Sequence, residues 1–359
     1  MQLPNKLLTT FDKFLLGGLG CGVIVLCLLS GWIYYILNRL PVPGAEATQL
    51  ANADFPTVSS SPSIFEYPTA TLIPTIFPTA DGSSPVTAIP SPVPHIFDGT
   101  PPIGKIAFAC YVKQIDQICI MNADGTGRVQ LTDFDATAFY PSISPDGQMI
   151  FFASKQNSGF EIFSMDIAGG GLKQLTKNIG SLYGPELSPN GERVVFANSG
   201  GGLWLMKPDG KNAHRISNRD DIDPTWSPDG SRIAFASSRA GDRQLFVMNA
   251  DGSNIQQVTD LNNMGGRSTW SPNGTKLAFY RGPAGDHNIY VIKMDGTGLV
   301  QLTDGGDNLG PSWSPDGNWI AFTSFRDGNN EIYIVHPDGT ALTRLTNNSI
   351  SDWQPRWGR

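Results

Sequence analysis

Pro311-Ser312-Trp313-Ser314-Pro315-Asp316-Gly317, followed by Trp319-Ile320-Ala321-Phe322, is the stretch on which the reading of this chain turns. Its centre recurs as Ser144-Pro145-Asp146-Gly147, Ser188-Pro189-Asn190-Gly191, Ser227-Pro228-Asp229-Gly230 and Ser271-Pro272-Asn273-Gly274, at intervals of 44, 39, 44 and 43 residues. A fixed period in this range marks an array of structural repeats. Each copy makes sense as a tight type I turn. Serine accepts a hydrogen bond, proline presets the second φ, Asp or Asn tolerates the third position, and glycine takes the positive φ that follows. Hydrophobic runs on both sides make the turn a β-hairpin.

Working outward, each repeat holds four apolar stretches. One ends at the Ser-Pro turn, as in Pro224-Thr225-Trp226, and one follows it, as in Ile233-Ala234-Phe235. A third precedes a second turn, as in Leu245-Phe246-Val247-Met248 before Asn249-Ala250-Asp251-Gly252. The fourth is short and ends in Leu-Thr, as in Gln301-Leu302-Thr303. Four short strands in about 43 residues describe a β-propeller blade.

The third-strand element occurs six times, near Ile118, Ile162, Leu203, Leu245, Ile289 and Ile332. The repeats begin at a second-strand element, Gly104-Lys105-Ile106-Ala107-Phe108, and end on a first-strand element, Pro355-Arg356-Trp357. The C-terminal strand can therefore complete blade one, which ties the ends together and removes a sheet edge. The expected fold is all-β: a six-bladed β-propeller over residues 103–359, closed by its C-terminal strand.

The ordered set Pro-x-Trp-Ser-Pro-Asp-Gly, Ile-Ala-Phe, Glu331-Ile332-Tyr333, Asn-Ala-Asp-Gly and Leu-Thr resembles the TolB-type (WD-like) propeller repeats. The resemblance covers residues 103–359 and implies the propeller fold. It says little about activity, because such blades occur in binding proteins and beside hydrolase domains. Ahead of the repeats, where the family's periplasmic namesake carries an α/β domain, this chain has a different sequence. The namesake's partner is therefore not carried over.

Phe14 through Leu37 is 24 residues without a charge. About 20 suffice to cross a bilayer as a helix. Lys13 and Arg39 bracket the stretch, and Trp32, Tyr34 and Tyr35 stand where aromatic belts occur. We read residues 1–13 as a short cytoplasmic N-terminus and 14–38 as a transmembrane helix serving as a signal-anchor. Lys6 and Lys13 on the near side set the orientation, with the rest outside the cytoplasm at the cell membrane. A cleaved signal peptide ending at Ala45-Glu46-Ala47 is the rival, but its apolar region is usually about 7–15 residues. Residues 41–102 hold 13 of the 27 prolines, 15 Ser/Thr and no Lys or Arg. Proline at this density makes residues 39–102 an extended, disordered spacer.

The net charge is −7, from 25 basic and 32 acidic residues, with no Lys/Arg run. That argues against a nucleic-acid partner, which needs a basic patch for phosphates. Neither a Gly-x-Ser-x-Gly elbow nor a His-Glu-x-x-His occurs, and His95, His214, His287 and His336 fall in unrelated positions. No catalytic residue, metal site or cofactor is expected. Asp220, Asp221 and Asp223 are a carboxylate cluster, but without the fixed spacing of a calcium loop.

In a four-stranded blade the two invariant turns share one face. The loops joining strands two–three and four–one, which differ from blade to blade, share the other. Variable loops on a rigid scaffold are where binding resides. The four–one loops lead into the inner strands and rim the channel. Their candidates are Tyr140, Tyr183, Asp223, Arg267, Asn308 and Trp353, a set suited to a protein or peptide partner at the cell envelope. The plainer reading is solvated loop residues. The enzymatic alternative is recognition or cleavage of a surface polysaccharide (lyase or glycosidase) by carboxylates at the channel mouth. Cys110 and Cys119 lie on successive strands of blade one, and a hairpin centred between them sets them opposite each other. Outside the cytoplasm they can form a disulfide; two separate buried thiols satisfy the sequence equally.

Overall fold

A computed structural model describes residue 97 and residues 100–156 and 159–359. The proposed cytoplasmic, transmembrane and spacer segments at 1–13, 14–38 and 39–102 lie outside the described residues, the last but for its final few. Among the described residues no helix is long and apolar enough to cross a membrane.

The described residues form six four-stranded antiparallel sheets. The inner strands of blades two to six are Ala138–Ile143, Leu182–Leu187, Ile222–Trp226, Met264–Trp270 and Asn308–Trp313. Blade one is built from Lys105–Val112, Ile115–Asn122 and Val129–Gln130, and its inner strand is the C-terminal Asp352–Gly358. The ends of the domain close the ring as the repeat count requires.

Each repeated motif has a mechanical role. In the Ser-Pro turns the serine hydroxyl donates to the Asp or Asn Oδ1, at 2.5 Å in blade two and 2.8 Å in blade five. The same hydroxyl accepts the N–H five residues on, as from Met149 and Trp319. The Leu-Thr threonines, among them Thr132, Thr176 and Thr346, accept the N–H of Ile118, Ile162 and Ile332, each at 2.9 Å. This pins the outer strand to the third. The second-strand phenylalanines, Phe108, Phe152, Phe196, Phe235, Phe279 and Phe322, are buried, one to a blade.

In blades two to six each such phenylalanine stacks on the aromatic residue opposite it on the third strand, as Phe152 on Phe163 and Phe322 on Tyr333. Blade one differs. Cys119 stands opposite Phe108, and its sulfur is bonded to Cys110. The expected register of the two cysteines is corrected: Cys110 faces Gln117, so the disulfide runs diagonally, with Cα atoms 5.9 Å apart. The cause is the two-residue turn Lys113-Gln114, both at positive φ, which pairs Val112 with Ile115 and moves the hairpin centre by one residue.

Candidate functional site

The inner strands carry the site because they alone face the axis. Counting three residues back from the last apolar residue before each Ser-Pro turn, or from Trp357 in blade one, gives a ring: Tyr140, Gly184, Asp223, Arg267, Gly310 and Gln354. In five blades proline follows, and there the backbone is left-handed, with φ of 55°, 60°, 52°, 58° and 53° for Tyr140, Gly184, Asp223, Gly310 and Gln354. The sheet register slips at this point in every blade. Glycine accepts such a φ freely, but Tyr, Asp and Gln ahead of proline do so under strain. Strain of this kind gathers at functional sites. In blade five Ser268 replaces the proline, and Arg267 occupies the ring position.

The ring side chains meet one another. Arg267, from blade five, reaches blade two on the far side of the axis, donating to Pro141 O at 3.4 Å with its guanidinium 5.2 Å from the centre of the Tyr140 ring. That is cation–π range. Tyr183 lies 5.8 Å from Tyr140, centre to centre. The Tyr140 N–H donates to Gln354 Oε1 at 2.9 Å. Gly265 and Gly266 make room beside Arg267: a Cβ on Gly266 would stand 2.2 Å from Asp223 Oδ2, and one on Gly265 2.1 Å from the Tyr280 ring.

The electrostatics are those of a buried charged cluster. Asp223 is 7 % and Arg267 5 % exposed. Asp223 Oδ1, Arg267 Nη1 and Arg243 Nε are buried and make no hydrogen bond within the protein. Burial pushes the Asp223 carboxyl up, while Arg267, Arg243 and Arg356 pull it back. Burial pulls Arg267 down to about 9, helped by the charge of Arg356 and opposed by Asp223. Burial and the Asp223 charge keep the proton on Tyr140 well above its ordinary range. Buried charged atoms without partners are rare and call for an explanation, of which a ligand is one.

Of the six sequence candidates, the structure brings Tyr140, Tyr183, Asp223 and Arg267 together. Asn308 does not join them. It is fully buried, its amide donates to Gly305 O at 2.8 Å, and its Oδ1 accepts from Arg326 at 3.1 Å, so it staples a loop. Trp353 is tied to its own blade, its indole N–H donating to Asp116 at 2.9 Å. The neighbouring Gln354, from the same loop, is the blade's contribution to the ring. The Asp220–Asp223 cluster disperses: Asp221 pairs with Arg239 at 2.7 Å and Asp220 accepts the Ser238 N–H.

A second feature lies at the opposite end of the channel, on the face of the Ser-Pro turns. A cavity of about 160 Å³ is walled by Trp226, Trp270, Trp313 and Trp357 over Glu186 and Arg356. Its signal was the residue before each Ser-Pro pair, which is easily taken as structural because it repeats.

A family model described as a TolB beta propeller domain matches residues 104–269 and 255–359. Among solved structures, the chain is similar to TolB from Acinetobacter baumannii, with a TM-score of 0.63 and 21 % identity over 71 % of this chain and 66 % of that one. It is similar to a putative TolB from Agrobacterium tumefaciens (TM-score 0.58, 16 % identity, 71 % of this chain and 99 % of that one). It is also similar to the hydrazine synthase of Kuenenia stuttgartiensis (TM-score 0.59, 20 % identity, 71 % and 46 %). The chain thus spans 66 % of the length of the Acinetobacter protein. At these identities the likeness concerns the fold. No curated protein sequence matches the chain.

Proposed function

The chain belongs to the TolB β-propeller family, and from that premise we propose that it is a non-catalytic scaffold that captures a protein or peptide at the loop-side mouth of its channel. In this reading residues 14–38 hold it in the cell membrane, residues 39–102 space it from the bilayer, and the propeller works outside the cytoplasm. The observation that carries the proposal is the Tyr140–Tyr183–Asp223–Arg267 cluster. It offers aromatic faces beside a buried carboxylate and a buried guanidinium, each with an unpaired atom. Aromatic and arginine anchors in a desolvated centre are the usual hot spots of protein interfaces.

A glycan-cleaving reading is less well supported. It needs two carboxylates free to act across the scissile bond. Asp223 is one, but Glu186 is committed through Oε1 to the Thr225 hydroxyl and the Trp226 N–H.

The test is capture from an envelope extract by the full chain. Tyr183→Ala and Asp223→Ala should each cut capture by about tenfold, the loss typical of a single hot-spot residue. Both side chains are buried, so each change will lower the melting temperature, and capture is compared well below it, on variants shown to be folded. Parental capture by both variants would sink the proposal, and turnover of a glycan by the parent would replace it.

A further inference from the structure

The Ser-Pro end of the channel is a separate site from the loop-side mouth. All four indole N–H groups of its tryptophan wall are engaged, donating to Glu186 O, Thr225 O, Gly317 O and Ile103 O. The rings therefore offer the cavity apolar faces only. Beneath them stands Arg356, 8 % exposed. Its Nε is buried and meets no acceptor within the protein. Its Nη2 stands 3.7 Å from Glu186 Oε2, within ion-pair range but too far for a hydrogen bond. Ser142 Oγ, on the same floor, is also buried without a partner. Nε and Nη2 form one edge of the guanidinium, the edge that a carboxylate grips with both oxygens.

Charge balance points the same way. Among the buried and half-buried groups that act on one another along the axis, Arg243, Arg267 and Arg356 face Asp223 and Glu186. One positive charge is left over. Burial is the main cause that pulls Arg267 down, and repulsion from Arg356 is the next. One negative charge set at Arg356 would relieve that repulsion.

We propose that this cavity binds one carboxylate, carried by a small apolar acid or by a peptide, with the carboxylate on Arg356 and Ser142 and the apolar body against the tryptophan faces. A phosphate fits less well. It brings close to two charges where one is in excess, and it has no apolar surface for the walls.

The purified full chain is titrated with sodium butyrate, with butyramide and sodium chloride as controls, and followed by tryptophan emission and by heat. A saturable response to butyrate alone is expected. Arg356→Gln should weaken it by about tenfold or more, the scale of a lost charge-assisted pair. Glu186→Gln keeps an acceptor for Thr225 and Trp226 but removes the competing charge, so it should bind butyrate more tightly. An unfolded variant cannot mimic that gain, so the proposal stays testable even where Arg356→Gln fails to fold. A short peptide ending in leucine, with a free or an amidated C-terminus, separates the sources. Tighter binding of the free peptide than of butyrate assigns the carboxylate to a peptide, and weaker binding to a small acid. An equal response to butyramide, no saturable response, or parental affinity in Glu186→Gln would overturn the proposal. Partner capture at the loop-side mouth is read by different variants, so either can fail alone.

Discussion

At Asp116 burial and a hydrogen bond pull in opposite directions. Burial raises its carboxyl to about 6, and the Trp353 indole N–H only partly offsets this. The folded chain therefore holds this proton more tightly than the unfolded one, whose value is 3.8. Between these two values stability falls as pH rises, and above about 6 the full cost is present. Asp116→Asn removes the ionisation and keeps an acceptor for Trp353. It should be more stable than the parent at pH 8, by something on the order of 2 kcal/mol. The gain should fade through pH 4 and vanish below about pH 3, where both states of the parent are protonated. Thermal melting at the two pH values checks this, and an equal effect at both would refute it. The residue scale also shows what spacing conveys. Tyr140, Asp223 and Arg267 share a fixed distance from the Ser-Pro turn, so counting back from it places them in one ring. Asn308 and Trp353 come from the same loops, but lie two residues and one residue short of that position; Tyr183, one residue short of Gly184, joins the cluster all the same through its ring contact with Tyr140. Loop membership alone could not separate them.

Closure of the ring is an event between elements. Arg128, beside the outer strand of blade one, reaches over the Phe108 ring to Asp352 at 2.8 Å, with side chains 3 % and 0 % exposed. Arg239 and Asp221 make the same clasp in blade four, over Phe235. In blade one the clasp fastens the C-terminal strand to the N-terminal hairpin. Breaking a buried pair from one side leaves an uncompensated charge and costs about 3–5 kcal/mol. Asp352→Leu should show a loss of that size in denaturant melts, and adding Arg128→Met should recover most of it. A double variant as weak as the single would mean that the pair is not the clasp. Closure itself was legible, since the repeats start on a second strand and end on a first. The disulfide register was not. It depends on Lys113 and Gln114 both taking positive φ, and neither is a residue that announces such a turn.

For the molecule as a whole, the inner strand of blade one is the element on which the ring depends. Deleting residues 352–359 removes Trp357 from the channel wall, takes the Asp352 carboxylate away from the buried Arg128, and exposes the edge of the strand Lys105–Val112. An unpaired edge of this kind invites association with other chains. The truncated chain should lose its cooperative melting transition and elute as aggregate in size-exclusion chromatography. A monomer melting like the parent would show that five blades and an open one suffice. The channel is the other property of the whole. Two features of different chemistry share its axis, a buried charged aromatic cluster on the inner strands and a tryptophan-walled cavity among the invariant turns.

Blade number, strand order and circular closure follow from local chemistry, because each motif acts within its own blade or on the next strand: serine on its turn, threonine on its neighbouring strand, phenylalanine on its partner ring. The repeat therefore carries them in full. The reach of Arg267 to the far side of the channel, the 3.7 Å ion pair of Arg356 with Glu186 and the burial of Asp223 follow from nothing local. They arise because six inner strands are brought round one axis, where side chains distant in sequence must share a narrow, poorly hydrated space and compete for the same partners.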